Sequence, residues 1–211
     1  MGQPKPPRAD RQLSPEKAEA ILEGGMQEFL AHGYAATSMD RVATSAGVSK
    51  ATVYSHFQDK EGLFTTLIQR LVEVKFRSLF GSGSAEMLQT DPKNVLRDLA
   101  NRFLDVGISD PQFLNFMRVI LGESGRFPQL ARAFVRNIEQ TAFNRLRQYF
   151  TNCPYLKLSD PEATARIFIG ALVHFMIVQE MLHGKDLMPM ERDRLVNNLV
   201  HLITANHTEN T

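Results

Sequence analysis

The chain has 211 residues, 43% of them apolar, and a formal net charge of +1 at neutral pH. This is enough apolar sequence to bury a core in one or two domains, and the near-zero charge excludes a chain that is basic throughout. Its single cysteine, Cys153, excludes an internal disulfide framework and indicates a reducing compartment. We see no signal peptide and no apolar run long enough to span a bilayer, so we predict a cytoplasmic protein with no membrane partner.

The chain begins with a polar, proline-rich segment, residues 1–13, which predicts a disordered arm. A first helix is predicted to start at Ser14, because a proline and an acid follow this cap candidate, and to end at Gly33. Gly24 and Gly25 lie inside this helix, where each costs roughly 1 kcal/mol relative to alanine.

The next stretch, residues 37–64, predicts two short helices joined by a tight turn. Ser38 and Ser49 are N-cap candidates for these helices, with Asp40 in the first turn of the first one. Gly47 lies where the turn needs a permissive backbone. Two short helices joined by a glycine-containing turn are typical of a helix-turn-helix unit.

The second of these helices carries hydrogen-bond donors, and no acid follows Ser49 before Asp59. Donors on this surface suit a phosphate backbone and base edges in a major groove, although some helix-turn-helix units serve only in packing. Asp59 is an N-cap candidate for a further helix. The DNA-binding candidates are Lys50, Thr52, Ser55 and His56 near base edges, Thr37, Ser38, Tyr54 and Lys60 near phosphates, and Ser49 and Ala51 beside them.

This region resembles the DNA-binding domain of the TetR/AcrR family of bacterial one-component transcriptional regulators. The matching residues run in order through Phe29, Gly33, Tyr34, Thr37-Ser38, Val42-Ala43, Ala46 to Ser49, Thr52 to Phe57 and Asp59 to Phe64. The resemblance implies a homodimer that binds a palindromic double-stranded DNA operator. It also implies control by a small-molecule effector of unknown identity, with repression the commoner mode. Residues 116–132 more weakly resemble the regulatory domain of the AefR-like subgroup.

The rest of the chain shows helical apolar spacing and no useful alternating strand pattern. We therefore predict an all-α fold of about nine helices. Residues 14–60 form the three-helix DNA-binding domain, and residues 61–211 form the regulatory, effector-binding and dimerisation domain. The helices predicted after the DNA-binding domain are 60–80, ending at a Gly-Ser stretch (81–84), then 92–105, 111–121, 127–150, 161–182 and 190–205.

The helix predicted over residues 161–182 is apolar around much of its girth, so it needs neighbours on more than one side. The resemblance implies that it forms a four-helix dimer interface with the final helix, and the alternative is the buried central helix of a monomer. The interface candidates are Ile167, Gly170, Ala171, His174, Val178, Met181, Leu195, Leu199 and Ile203.

Several aromatic residues of the C-terminal half are candidates for the wall of an apolar effector pocket with few polar anchors. His174, in an apolar helix, must find a partner, and a core contact, a dimer contact and an effector anchor all stay open. The pocket candidates are Phe103, Phe113, Phe116, Met117, Phe134, Phe143, His174, Phe175 and Gln179.

The sequence lacks the spacings that catalysis or metal binding would need. The six histidines are scattered, and no glycine-rich phosphate loop follows a strand. We predict no catalytic residue, no metal site and no cofactor, and hence no enzyme. Two alternatives to an effector-controlled regulator remain, namely a constitutive DNA-binding protein and a helical module that binds a protein partner but no DNA.

Overall fold

The computed structural model describes residues 14–77, 79–80 and 84–205, without the side chains of residues 76, 77, 84 and 85. Within these ranges the regular structure is helical and no strand occurs, which confirms the all-α prediction. The predicted disordered arm, residues 1–13, lies outside the described residues, as do residues 81–83 of the Gly-Ser stretch.

The described residues form ten helices when helices joined by π-helical turns are counted as continuous. One turn, Glu139–Phe143, joins α8 to α9, and the other, Met176–Met181, extends α10. The short helix α5 was not predicted. The helices are α1 (Pro15–Ala36), α2 (Met39–Ser45), α3 (Lys50–His56), α4 (Lys60–Arg77), α5 (Ser84–Gln89), α6 (Pro92–Ile108), α7 (Pro111–Glu123), α8 (Pro128–Ile138), α9 (Asn144–Asn152), α10 (Pro161–Phe175) and α11 (Arg192–Thr204).

The first three helices begin at the predicted serine caps. The side chains of Ser14, Ser38 and Ser49 accept hydrogen bonds from backbone N–H groups of the first turns of α1, α2 and α3. These bonds satisfy donors that have no partner inside the helix. Gly47 makes the turn between α2 and α3 with a φ of +63°, and α1 kinks at Gly33, where φ is +72°.

The two glycines inside α1 allow neighbouring groups to approach its backbone. A Cβ at Gly24 would lie 2.8 Å from the backbone nitrogen of Ala46, at the end of α2. A Cβ at Gly25 would lie 3.0 Å from a methyl carbon of Leu63 in α4. Close packing against α2 and α4 therefore explains residues that local helix propensity disfavours.

Three aromatic rings form the centre of the N-terminal core. The ring of Phe64 meets Phe29 edge-on at 4.9 Å and Tyr34 edge-on at 5.2 Å, measured between centroids. Val42 of α2 and Val53 of α3 are fully buried in the same unit. Each of the first four helices thus contributes at least one side chain to this core. Packing in the core holds α3 in place against the other three helices.

Contacts between Cα atoms divide the chain into two compact units, the first ending at Leu67 and the second beginning at Ile68. The division falls inside α4, which is one continuous helix. The domain boundary between residues 60 and 61 stays a prediction. The second unit has its own core, in which Leu104, Phe150 and Leu172 are almost completely buried.

Candidate nucleic-acid interface

Helix α3 directs nearly all of its side chains toward the surface. Val53 is its one buried residue, whereas Lys50, Ala51, Tyr54 and Ser55 are exposed. The predicted DNA-contact residues Thr52 and His56 on α3 are half-buried, and Ser49 and Ser38, which cap α3 and α2, are exposed. The structure therefore brings most of the predicted DNA-binding residues together on one short helix and its caps.

The hydroxyl groups at the start and middle of α3 support the helix itself. The Ser49 hydroxyl accepts from the backbone N–H of Thr52 at 3.1 Å and lies 2.8 Å from the Thr52 hydroxyl. The Ser55 hydroxyl donates to the carbonyl oxygen of Thr52 at 2.7 Å. A hydroxyl oxygen has two lone pairs and one hydrogen, so these groups retain capacity for a further contact.

An ion pair joins α2 to the first residue of α3. The ammonium of Lys50 lies 2.7 Å from one carboxylate oxygen of Asp40 and 3.0 Å from the other. It also lies 6.0 Å from the centre of the Tyr54 ring. The hydrogen bond to Asp40 raises the pKa of Lys50. The sequence predicts Asp40 as an acid in the first turn of α2, favoured by the helix dipole, but does not predict this pairing.

Thr37 does not present its hydroxyl at the surface, contrary to its predicted phosphate role. Its exposed fraction is 3%, and its hydroxyl lies 2.8 Å from the carbonyl oxygen of Gly33 and 3.1 Å from that of Glu28. Both carbonyls belong to the C-terminal half of α1, where intrahelical donors run out at the kink. We therefore correct Thr37 to a residue that positions the segment between α1 and α2.

Lys60 also has an intramolecular role in place of the predicted phosphate contact. Its ammonium donates to the carbonyl oxygens of Tyr34 at 2.7 Å, Thr37 at 2.9 Å and Ala35 at 3.3 Å. The end of a helix leaves carbonyls without partners, and a cation there is also favoured by the helix dipole. Asp59 caps α4 as predicted, because its carboxylate accepts from the N–H of Gly62 at 2.7 Å.

Comparison with known proteins gives the family. A model of bacterial regulatory proteins of the tetR family matches residues 21–67, which include α2 and α3. A second model, the C-terminal domain of AefR-like transcriptional repressors, matches residues 94–207, more than half of the chain. The chain belongs to the TetR family. Both resemblances noted in the sequence are thereby confirmed.

Curated relatives of this TetR-family chain are transcriptional regulators. The regulator AcrR of Shigella flexneri is 26% identical over 161 residues, which are 75% of this chain and 74% of AcrR. The activator FasR of Mycolicibacterium smegmatis is 32% identical, and the repressor AcnR of Corynebacterium glutamicum is 37% identical. The match covers 50% of this chain and 47% of FasR, and 49% of this chain and 46% of AcnR.

Solved TetR-family structures match nearly the whole chain. A regulator from Mesorhizobium loti superposes with a TM-score of 0.74 at 27% identity, covering 92% of this chain and 98% of that one. The flavonoid-responsive regulator FrrA gives a TM-score of 0.74 at 30% identity, and the match covers 94% of this chain and 100% of FrrA. This protein is therefore a DNA-binding transcriptional regulator, and its family and relatives are regulators rather than enzymes.

The regulatory half of this TetR-family protein contains an apolar cavity of about 60 Å³. Its described wall comes from α6, α8, α9, α10, the π-helical turn Glu139–Phe143 and the residues that follow α4. The lining residues are Leu79, Phe80, Leu99, Phe103, Ile138, Ala142, Leu146, Phe168, Ile169 and Val173.

The structure corrects most of the predicted pocket. Phe103 lines the cavity, whereas the other candidates, all within the described residues, do not. The buried amide of Gln179 donates to the carbonyl oxygen of Met188 at 2.7 Å, so it anchors a loop. Aliphatic side chains form most of the cavity wall, and Phe80, Phe103 and Phe168 are its aromatic members. Phe113, Phe116 and Phe175 are buried, Met117, Phe134 and Phe143 are half-buried, and His174 is exposed.

The predicted dimer face is partly exposed on the surface of the second unit. Ile167 is 63% exposed, and Gly170 and His174 are exposed beside it on α10. His174 is exposed, which excludes the core contact, and it does not line the cavity. Its dimer contact stays a prediction. The half-buried candidates are Ala171, Val178, Met181, Leu195 and Ile203.

On α11 the structure contradicts one predicted dimer residue and exposes one apolar residue that was not predicted. Leu199 is buried in the core of its own unit, so it has no surface to offer a partner. Leu202, not predicted, is 74% exposed. Leu199 follows Leu195 by four residues and Leu202 follows it by seven, so helical spacing places all three near one face and does not separate Leu199 from Leu202.

The helix formed by α10 and its π-helical extension is poorly covered by the rest of the chain. Pro161–Met181 is long and apolar enough to cross a membrane by length and composition alone, contrary to the prediction that no apolar run is long enough to span a bilayer. Only 28% of its most apolar window is buried. Leu182, Leu187 and Met188 in the following loop are exposed as well. An exposed apolar surface of this kind is typical of a site that binds another molecule.

Proposed function

We propose that this regulator is a cytoplasmic homodimeric repressor that binds a palindromic operator and releases it when a small apolar or amphipathic effector binds. The observation that carries this proposal is the surface of α3, a helix with one buried residue and no acidic side chain. Family membership supports insertion of α3 into a major groove. Two such helices would read half-sites about 34 Å apart.

Within this proposal, the contacts divide by position on the helix-turn-helix. Lys50, Ala51, Thr52, Ser55 and His56 would lie near base edges, which supply sequence preference. The caps Ser38 and Ser49 and the exposed Tyr54 would lie near phosphates, which supply affinity that falls with salt. We leave Thr37 and Lys60 out of this set because their polar groups serve α1.

The dimer part of the proposal rests on uncovered apolar surface. Ile167 on α10 and Leu202 on α11 are both more than half exposed, and the loop after α10 adds Leu187. A second copy would cover this surface through a two-fold interface in which the same patch serves both subunits. The same pairing would supply the two reading heads that a palindrome requires.

The effector part of the proposal rests on the apolar cavity. Moving a polar group from water into an apolar site without a hydrogen-bond partner costs several kcal/mol of free energy. The part of the effector that the cavity encloses should therefore be apolar. FrrA is described as flavonoid-responsive. The hydroxyl groups of a flavonoid would find no partner among the described lining residues, so we do not extend that ligand class to this chain.

The size of the cavity suggests how an effector would act. At about 60 Å³ it is smaller than the roughly 150 Å³ cavity that admits benzene in an engineered protein, so an effector must spread its walls. Leu79 and Phe80 in that wall directly follow α4, which begins at Lys60 in the first unit. Displacing them would shift the population toward a state that no longer fits the operator.

Capture of genomic fragments by the purified protein at physiological salt, followed by sequencing, tests this proposal. We expect enrichment of a palindrome whose half-site centres lie one helical turn, or a multiple of it, apart. Recovery of nothing above background by folded, dimeric protein would instead favour the helical interaction module.

A further inference from the structure

Asp40 places a carboxylate beside the first residue of α3. Its side chain is 64% exposed and that of Lys50 is 60% exposed, yet both carboxylate oxygens of Asp40 lie within 3.0 Å of the Lys50 ammonium. If α3 binds DNA as proposed above, this pair belongs to the DNA-binding surface. A carboxylate there faces the repulsion of nearby phosphates, so its presence needs a reason.

Local stability gives only a weak reason. The first turn of α2 already has the Ser38 hydroxyl as a cap, accepting from the N–H of Arg41 at 3.3 Å. An exposed ion pair is screened by water and contributes little to stability, and the helix dipole adds a similarly small contribution. What Asp40 does more directly is accept hydrogen bonds from the Lys50 ammonium, which also lies 6.0 Å from the centre of the Tyr54 ring.

We propose that Asp40 holds the Lys50 ammonium away from DNA phosphates and thereby weakens binding to DNA of unselected sequence. Such binding comes almost entirely from cation–phosphate contacts, and each contact adds about 0.9 to the slope of log affinity against log salt. An ammonium held by its own carboxylate makes no such contact. Asp40 is in this sense a residue that favours sequence-dependent binding over sequence-independent binding.

The proposal is tested with Asp40→Asn, Lys50→Gln and the double variant, on one fixed duplex of scrambled sequence over a series of salt concentrations. Asp40→Asn frees the ammonium, so its affinity should rise several-fold, and its salt slope should steepen by about 0.9. On this scrambled duplex, which offers Lys50 no preferred base, Lys50→Gln alone should leave the wild-type salt slope unchanged, whereas the same variant should weaken binding to the operator. The double variant should also keep the wild-type slope, because the freed cation is gone.

Glu23→Gln is the matched control, since Glu23 is an exposed acid on α1 and its loss changes the net charge equally. If Glu23→Gln raised the affinity and the salt slope as much as Asp40→Asn, a bulk charge effect would explain both variants and the proposal would be overturned. A steeper slope that persists in the double variant would overturn it in favour of direct repulsion by Asp40. Thermal unfolding of each variant shows that α2 and α3 remain folded.

The proposed role of Asp40 rests on DNA binding by α3, and the experiments distinguish failure of the first from failure of the second. Wild-type binding with no change in Asp40→Asn overturns the role of Asp40 and leaves the proposed function standing. Folded wild-type protein that binds neither the scrambled duplex nor genomic fragments overturns both.

Discussion

The ammonium of Lys60 lies 2.7 Å from the carbonyl oxygen of Tyr34 and 4.4 Å from the centre of the Tyr34 ring. These two residues are 26 positions apart, so the contact fastens the end of α1 to the start of α4. Phe64, one turn further along α4, packs edge-on against the same ring at 5.2 Å. Helices α2 and α3 lie between these fastened ends in the chain, which restrains the helix that we propose reads DNA.

Replacing Lys60 with methionine tests this role. The variant keeps much of the apolar stem but leaves three carbonyls without their charged donor, so we expect a loss of about 1–3 kcal/mol in the free energy of unfolding, measured in urea. Lys17→Met, at an exposed lysine of α1, should change stability little. The salt slope of DNA binding should be unchanged, and a slope lower by about 0.9 would restore the phosphate role of Lys60.

Gly24→Ala tests the close approach of α1 to the end of α2. Alanine would favour the helix by roughly 0.5–1 kcal/mol, but its Cβ would meet the backbone nitrogen of Ala46 at 2.8 Å. We expect net destabilisation of about 1–3 kcal/mol in denaturant unfolding, because backbone cannot rotate aside. Gly62→Ala is the control, since its Cβ would meet only the Asp59 carboxylate, at 3.4 Å. Equal stability changes in both variants would contradict the packing explanation.

Ile167→Glu tests the proposed dimer face. A charge on each side of a two-fold apolar interface should leave the chain monomeric in sedimentation velocity and weaken operator binding. Val135→Glu is closely matched, because Val135 on α8 is also 63% exposed. The control variant should remain dimeric. A dimeric Ile167→Glu protein would place the interface elsewhere.

Ala142→Leu tests the apolar cavity. The larger side chain should fill the space that Phe80 and Phe103 also line, so that the alkyl chain of a small amphipathic probe such as 1-octanol no longer enters and the probe no longer raises the midpoint of thermal unfolding. Ala131→Leu on α8, outside the cavity wall, should retain the response of the wild type. If 1-octanol stabilises Ala142→Leu as much as the wild type, the probe binds at another place.

Sequence reasoning succeeded where the cause was local. Ser14, Ser38 and Ser49 cap helices because their side chains reach backbone groups within three residues, and Gly47 supplies a positive φ that the turn needs. A pattern over neighbouring residues contains that information. The same holds for the all-α class, which follows from the spacing of apolar residues.

Sequence reasoning failed where two distant side chains had to meet. In the sequence, Lys60 is compatible with a phosphate contact, but in the structure its ammonium donates to carbonyl oxygens at the end of α1. Its partner Tyr34 is 26 residues away, too far for a local sequence pattern to show the contact. Leu199 and Leu202 both look like interface residues until packing shows which one points inward. The cavity was missed because any buried phenylalanine, such as Phe116, is equally compatible with core and with pocket wall.

The central claim is that α3 reads bases as one of a two-fold pair, and selection from a pool of random duplexes tests it most directly. The wild type should enrich a palindrome, and Thr52→Ala should alter base preference at one symmetric position in both half-sites while leaving their spacing unchanged. Identical preferences for the wild type and Thr52→Ala would contradict a base-reading role for Thr52. Enrichment of no sequence by folded wild-type protein would contradict the claim itself.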